Sequence, residues 1–267
     1  LPTDHAYAPA ANTVASAREV TRALGADVTT ALLQDVPRVY TTEVNDVLLS
    51  GLALTLQAWT GRDHILFDLE GHGREDLLDE ADTSRTVGWF TSQFPVLLRL
   101  DRGASPGDVI KSVKEQLRAV PRRGADYGLL RYLSGNRPMI ERLEARPAPE
   151  VLFNYFGQAG RVLAPELQWA LVPGSVGSDV SPRATRSHPL EINAIVENGR
   201  LAITWTYSDA VHLRSTIEHL AVRYEETLQQ LVDHCRTVTT TQYTPSDFPA
   251  AGLDQGALDA LIAKISR

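Results

Sequence analysis

The sequence has a single cysteine, Cys235, among its 267 residues. One thiol supports neither a disulfide within the chain nor a thiolate zinc site. We interpret Cys235 as a helix-packing or surface thiol in a protein of the reducing cytoplasm. The sequence also lacks an apolar run close to the roughly 18 residues that cross a bilayer, and its first residues lack the regions of a signal peptide. We therefore expect a cytoplasmic protein without a membrane partner.

An excess of basic residues is also missing, because 26 Lys and Arg face 33 Asp and Glu, for a net charge of −7. Nucleic-acid binding needs a basic face, so we expect no nucleic-acid partner. Hydrophobic residues make up 43% of the sequence and charged residues 22%, which is typical of a globular protein. The length is near the upper limit of a single compact domain.

Several site motifs are absent as well. His64 and His72 lie near carboxylates, but no HExxH or comparable ligand spacing surrounds them. The glycines match neither GxxxxGK[ST] nor GxGxxG. The sequence therefore favours neither a metal centre nor a phosphate-binding loop.

Two segments near the N-terminus have helical spacing. The first predicts a helix over residues 26–35 that ends before Pro37, because proline disrupts a helix interior. The second, over residues 43–59, has apolar residues on nearly every side, which indicates a buried helix. Thr42 is its predicted N-cap and Gly61 its predicted end.

Short apolar segments over residues 64–69, 95–100 and 151–156 have the length of strands. Two further strands flank Asn198–Gly199, the strongest two-residue hairpin signal, and an amphipathic helix follows from about Val211 to His234. Helices and strands alternate irregularly and include an antiparallel hairpin. The sequence therefore predicts an α/β layered sandwich with a mixed sheet, not a doubly wound parallel fold.

The stretch EGHGRE concentrates ionisable side chains at the end of the predicted strand 64–69. Glu70, His72, Arg74 and Glu75 are separated by two glycines, which allow a sharp turn or close approach of the backbone. A carboxylate at the edge of a buried strand, with an arginine four residues on, has the elements of an acid/base site. The alternative is a polar turn whose charges face water.

Further stretches carry a family resemblance. In RTVGWFTSQFPVLL, Phe94 stands where the family has tyrosine. In VPRRGADYG, Asp126 replaces a glycine of the family's pattern, and in FNYFGQ, Phe156 replaces a leucine. The stretches are RTVGWFTSQFPVLL (Arg85–Leu98), VPRRGADYG (Val120–Gly128), FNYFGQ (Phe153–Gln158), SHPLEINAIVENGRLAITWTYS (Ser187–Ser208) and TPSDFP (Thr244–Pro249). Together with EGHGRE, they resemble the C-terminal half of epimerization domains of nonribosomal peptide synthetases, members of the condensation-domain superfamily.

The resemblance implies a chloramphenicol acetyltransferase-like C-terminal lobe over residues 1–236. Residues 237–267 are expected to form a linker and a short docking helix, with an apolar stripe of Leu258, Leu261, Ile262 and Ile265. The implied activity is inversion of the α-carbon of an aminoacyl or peptidyl thioester, without an intrinsic cofactor. The substrate is expected on the phosphopantetheine arm of a carrier protein. The other expected partners are the N-terminal lobe and neighbouring synthetase domains.

The resemblance also implies the site. Glu70 matches the family's catalytic glutamate, Arg74 an arginine of the same motif, and Tyr155 a tyrosine whose hydroxyl faces the tunnel. Asn154 is the polar neighbour of Tyr155. Because adjacent strand residues point to opposite faces, we expect only one of these two to line the site.

His72 and Trp89 are further candidates for contact with the substrate. For Trp89 and its neighbour Phe90, an alternative interpretation is a pair of core aromatics that fix their loop. Arg122 and Arg123 either contact an acidic carrier or form a solvated pair.

The family's HHxxxDG motif, which belongs to the N-terminal lobe, is absent from this sequence. The seven histidines are all isolated from one another: His5, His64, His72, His188, His212, His219 and His234. We expect this chain to supply one wall of a site formed between two lobes. The other lobe has been removed, belongs to a separate chain, or has been lost in a natural truncation that no longer catalyses. Two hypotheses remain: half of a working epimerase, or a catalytically inactive condensation-like module that docks carrier or tailoring proteins.

Overall fold

A computed structural model describes residues 1–6, 8–74, 85–158, 177 and 180–265. Its strands are β1 (Ala17–Ala23), β2 (His64–Gly71), β3 (Ser92–Arg99), β4 (Val151–Gln158), β5 (Leu190–Glu197) and β6 (Arg200–Ser208). Its α-helices are α1 (Ala26–Tyr40), α2 (Val44–Thr60), α3 (Pro106–Arg118), α4 (Ala125–Gly128), α5 (Arg137–Glu144), α6 (Arg214–Thr237) and α7 (Gln255–Ile265).

The described strands form one six-stranded sheet in the order β1-β6-β5-β4-β2-β3. β4 pairs in parallel with both β2 and β5, and the remaining neighbours are antiparallel. The predicted mixed sheet is therefore confirmed. Because β4 lies between β2 and β5, segments that are distant in the sequence become neighbours at the centre of the sheet.

Helices α1, α2, α3 and α6 pack on one face of this sheet. The alternation of each strand sends large apolar side chains, such as Phe67, Phe153 and Trp205, into the core beneath the helices. Trp205 meets the ring of Tyr224 on α6 edge-on, with centroids 5.8 Å apart. The buried Tyr224 hydroxyl donates to the carbonyl of Leu48 at 2.9 Å, which satisfies its polar atom. The opposite face of the sheet carries half-buried polar side chains.

The hairpin predicted at Asn198–Gly199 is confirmed. These two residues join β5 to β6 and both have positive φ, 50° and 74°. Positive φ at both central residues is the geometry of a type I′ turn, whose twist matches that of the flanking strands. The local sequence alone therefore determines this connection.

The predicted end of the first helix is wrong. α1 continues through Pro37 to Tyr40. Proline removes one backbone donor, but burial of Val36 and Tyr40 holds the last turn against the core. In the second helix, Glu43 rather than Thr42 is the N-cap, and its backbone N–H donates to Asp46 Oδ2 at 2.7 Å. Gly61 ends this helix, as predicted, in a left-handed conformation.

The segment after α6 packs onto the lobe before α7 begins. Lys114 on α3 is almost fully buried, and its Nζ donates to both carboxylate oxygens of Asp247 at 2.7 Å. In α7, Leu258 is buried, whereas Leu261 and Ile265 of the predicted apolar stripe are exposed. No described helix has the length and hydropathy needed to cross a membrane.

Candidate active site

Glu70 lies in β2 itself rather than in a turn after the strand, which corrects the sequence-based placement. Glu70 and Gly71 continue the antiparallel pairing with Gln93 and Ser92 of β3. On the other side, β2 pairs with β4 so that Leu69 is opposite Phe153. Glu70 is therefore beside Asn154, whose Nδ2 donates to Glu70 Oε2 at 2.6 Å.

The environment of Glu70 makes its ionised form less favourable than that of a carboxyl in water. Burial raises the pKa of this carboxyl above its ordinary value, and the neighbouring charge of Glu191 raises it further. The charge of His188 and the hydrogen bond from Asn154 lower the pKa and offset part of this effect. A carboxyl with a raised pKa holds a proton more readily than an ordinary glutamate, which suits an acid/base group.

Two further pairs of polar side chains lie on the same face of the sheet as Glu70. Asp68 Oδ2 is 2.8 Å from His188 Nε2 and also accepts from Gln93 Nε2 at 2.8 Å. Glu191 is paired with Arg186 at 3.0 Å. Sequence reasoning missed these groups. The polar alternation of β2 and β5 marks their face, but their proximity depends on the order of the strands.

A cavity of about 790 Å³ opens beside Glu70 at the end of the sheet. Five of the six predicted site residues line it: Glu70, His72, Trp89, Asn154 and Tyr155. Its other lining residues come mainly from the start of α2, the end of α3, and strands β2, β4 and β5. The structure thus brings together residues that are more than 80 positions apart in the sequence.

Both Asn154 and Tyr155 line this cavity, so the expectation that only one of them does is wrong. The two side chains leave opposite faces of β4, but the cavity extends around the end of the sheet and reaches both. Asn154 is on the Glu70 face, whereas Tyr155 packs at the edge of the helix-covered core.

Trp89 is not a core aromatic, because 91% of its surface is exposed. Its neighbour Phe90 is half-buried and lies under the guanidinium of Arg74, 4.0 Å from the ring centroid. Arg74 also donates to the carbonyl of Thr86 at 2.9 Å. These contacts direct Arg74 toward the segment before β3. Glu75, which the sequence grouped with Arg74, is outside the described residues.

Glycines explain how the motifs fit together. Gly73 has φ +64°, and a Cβ there would lie 1.5 Å from the carbonyl oxygen of Phe90. Gly124 has φ +84°, and a Cβ there would lie 2.1 Å from the ring of Phe94. Only glycine fits either position. In EGHGRE, the backbone at Gly73 therefore packs closely against another segment of the protein, at Phe90.

The start of α2 forms another wall of the cavity through an ion-pair cluster. Arg118 binds both oxygens of the buried Asp46, at 3.1 and 2.8 Å, and Arg123 donates to Glu43 at 3.1 Å. Burial raises the pKa of Asp46, and the charge of Arg118 opposes that rise. Of the arginine pair singled out in the sequence, Arg123 thus lines the cavity and binds a carboxylate.

Comparison with known proteins agrees with this architecture. Chondramide synthase cmdD of Chondromyces crocatus is 46% identical over 264 residues, which is 98% of this chain and 6% of that protein. Bacitracin synthase 3 of Bacillus licheniformis is 36% identical over 251 residues, 94% of this chain and 4% of that protein. This chain therefore spans a small part of the length of these relatives.

Solved structures show the same fold. The crystal structure of the epimerization domain from the third module of tyrocidine synthetase B is 36% identical, with a TM-score of 0.80 over 89% of this chain and 52% of that chain. A four-domain nonribosomal peptide synthetase, holo-AB3403 bound to AMP and glycine, matches at 15% identity with a TM-score of 0.65, over 87% of this chain and 18% of that chain. The predicted chloramphenicol acetyltransferase-like fold is thereby confirmed, and the chain spans about half the length of the solved epimerization domain.

The family model described as the condensation domain matches residues 1–253, nearly the whole chain. This chain therefore belongs to the condensation-domain family.

Proposed function

We propose that this chain is the C-terminal lobe of an epimerization domain and contributes Glu70 to inversion of an α-carbon. The observation that carries the proposal is the half-buried Glu70, with its raised pKa, on the wall of a cavity and held by Asn154. The match of 36% identity to a solved epimerization domain supports the same assignment.

The proposed reaction needs two groups that handle protons. A thioester acidifies the α-hydrogen of its acyl group, so a base on one side of the carbon removes the proton and leaves an enolate. An acid on the other side then returns a proton with inverted configuration. Glu70 is one of these two groups. We assign the other to the histidine motif of the N-terminal lobe, which this sequence does not contain.

Each nearby residue has a proposed role that follows from its contacts. Asn154 uses one N–H to fix Glu70, so its main role is to position the carboxyl. Tyr155, on the other side of β4, supplies a hydroxyl for the enolate oxygen, since a developing negative charge needs a donor. Arg74 holds the EGHGR segment against Phe90 and Thr86. His72 and the exposed Trp89 contact the incoming substrate.

The proposed substrate is an aminoacyl or peptidyl thioester on the phosphopantetheine arm of a carrier protein, and the chain needs no cofactor of its own. The relatives are long synthases of which this chain matches a small part. We therefore propose the carrier, the N-terminal lobe and neighbouring synthetase domains as its partners.

Exchange of the α-proton into deuterated water tests the function. The domain with its N-terminal lobe, given a carrier-bound aminoacyl thioester, is expected to incorporate deuterium at the α-carbon. Glu70→Gln keeps the size of the side chain and an acceptor for Asn154 but cannot transfer the proton, so exchange should be lost. Mass spectrometry of the released amino acid measures the incorporation.

Glu197→Gln is the matched control, because Glu197 is an exposed carboxylate at the end of β5. It should exchange at the wild-type rate. A wild-type rate in Glu70→Gln would contradict the role of Glu70. No exchange by the wild-type two-lobe domain would favour the inactive docking module instead.

A further inference from the structure

Three carboxylates share the open face of the sheet around the candidate site. Asp68 and Glu70 are two residues apart on β2 and so point to the same side. Leu152 of β4 is opposite Asp68 on one side and Glu191 of β5 on the other. Glu191 therefore lies on the same face, one row away from Glu70.

Two of these carboxylates have a cationic or hydrogen-bonding partner that is fixed by burial. Asp68 faces His188, and only 6% of the His188 side chain is exposed. Glu191 faces Arg186, whose side chain is 7% exposed and also donates to the carbonyl of Thr206. Among the described residues, the side-chain donor to Glu70 is the neutral amide of Asn154. Glu70 is thus the member of the trio whose ionised form is least compensated.

The other charged groups near the cavity are largely paired with one another. Across it, Asp46 and Glu43 at the start of α2 bind Arg118 and Arg123. The neighbours of Glu70 on β3 and β4, Gln93 and Asn154, are neutral. His72 and Arg74 follow Glu70 on its own segment, where Arg74 lies against Phe90. The ionisable groups that face Glu70 from β5 and from the segment before β5 are therefore Arg186, His188 and Glu191.

We propose that His188 and Glu191 are positioning residues that act on Glu70 in opposite directions and together set the pH range in which Glu70 takes up and releases a proton. Glu191 disfavours a negative charge on Glu70, and a cation at His188 favours it. Both effects operate through space in a half-buried environment, where charges interact more strongly than in water. The mechanistic meaning of this inference rests on the proposed role of Glu70.

Opposite shifts in two single variants test the proposal. Glu191→Gln removes a negative charge and leaves an oxygen for Arg186, so Glu70 should titrate at lower pH. His188→Gln can still donate to Asp68 but carries no charge, so Glu70 should titrate at higher pH. Glu197→Gln, farther along β5, should leave the titration of Glu70 unchanged.

The titration is measured by carbon-13 NMR on the 267-residue chain with side-chain-labelled glutamate. The Glu70 signal is identified by its absence in Glu70→Gln, so this readout does not depend on epimerase activity. The pH profile of deuterium exchange in the two-lobe domain provides a second readout. In each variant, the limb of this pH profile that reports Glu70 should shift in the same direction as the NMR titration of Glu70.

Opposite displacements of the Glu70 titration support the proposal. Unchanged titration, or displacement of both variants in one direction, overturns it. If His188→Gln does not fold, Glu191→Gln alone decides, and a titration that fails to move to lower pH overturns the proposal. Failure of the proposed function looks different: exchange would persist in Glu70→Gln, or be absent from the wild type, whatever the NMR titrations show.

Discussion

Glu70 combines a strand position with an environment that disfavours its charge. At position 70 a hydrogen bond from Asn154 holds the carboxyl, while burial and Glu191 raise its pKa. A residue selected only for stability would avoid this conflict, whereas an acid/base group benefits from it. The conflict therefore has a consequence for folding that is separate from catalysis.

Glu70→Gln is expected to gain stability relative to the wild type as pH rises. A carboxyl whose folded-state pKa is raised contributes stability that is fully present below its unfolded pKa, about 4.3, and is lost as pH rises through the folded value. Glutamine undergoes no such loss. Urea unfolding of both proteins between about pH 4 and 8 measures the difference, with Glu197→Gln as control. A difference that does not change with pH would contradict the assigned electrostatics.

Burial also raises the pKa of Cys235, a residue to which we assign no catalytic role. It lies on the core side of α6, and burial raises the pKa of its thiol to about 12. The thiolate is the reactive form of cysteine, so this thiol is inert in the folded protein. Of the two interpretations made from the sequence, helix packing is confirmed.

At the scale of elements, the site depends on loops that are held against one another by glycine. Gly73 allows the EGHGR segment to touch the backbone of Phe90, and Gly124 allows the turn after α3 to touch Phe94. The turn is itself strained, since Arg122 and Arg123 have φ of 44° and 51°. These contacts join three of the motifs that the sequence shows separately.

Gly73→Ala is expected to separate the EGHGR segment from Phe90, because its Cβ would overlap the carbonyl oxygen. A displacement of about 1 Å at an active site can lower the rate by about 100-fold, and we expect deuterium exchange to fall by that order. Gly135→Ala is the matched control, since Gly135 also has φ +64° but no atom within 4 Å of an added Cβ.

Both glycine variants should lose about 1 kcal/mol of stability from the left-handed backbone alone. Urea unfolding measures that shared loss, and the exchange assay isolates the effect of the overlap. Equal exchange rates in the two variants would show that the contact between Gly73 and Phe90 does not position the site.

At the scale of the whole molecule, one face of the sheet is covered by helices and the other presents the polar row around Glu70. The core beneath the helices is continuous from β1 to α6. The polar face carries the acid/base candidate, whereas the paired histidines of the family's first lobe are absent from the sequence. Under the proposed function, the chain supplies one wall of a larger site.

The 267-residue chain by itself is therefore expected to fold but to show no α-proton exchange. Circular dichroism should show its mixed α/β content, and the exchange assay should give the background rate. Addition of the N-terminal lobe, in the same chain, should restore exchange. Robust exchange by the chain alone would mean that a second acid/base group lies within it and that the two-lobe account is wrong.

The sequence by itself determined the identity of the lobe and much of its local structure. The family resemblance singled out Glu70 and Tyr155 as candidate site residues. Local patterns defined the hairpin at the Asn198–Gly199 turn and marked the end of α2 at Gly61. These features depend on neighbouring residues along the chain, where backbone preference and side-chain alternation are sufficient guides.

Only the tertiary structure decided which groups surround Glu70. The parallel pairing of β4 with β2 and β5 joins residues 84 positions apart, as in the bond from Asn154 to Glu70. No local pattern fixes the order of strands in a sheet, because that order is set by how the crossover helices pack on the core. For that reason the sequence assigned no role to His188 or Glu191, whereas in the fold they are electrostatic neighbours of the candidate catalytic group.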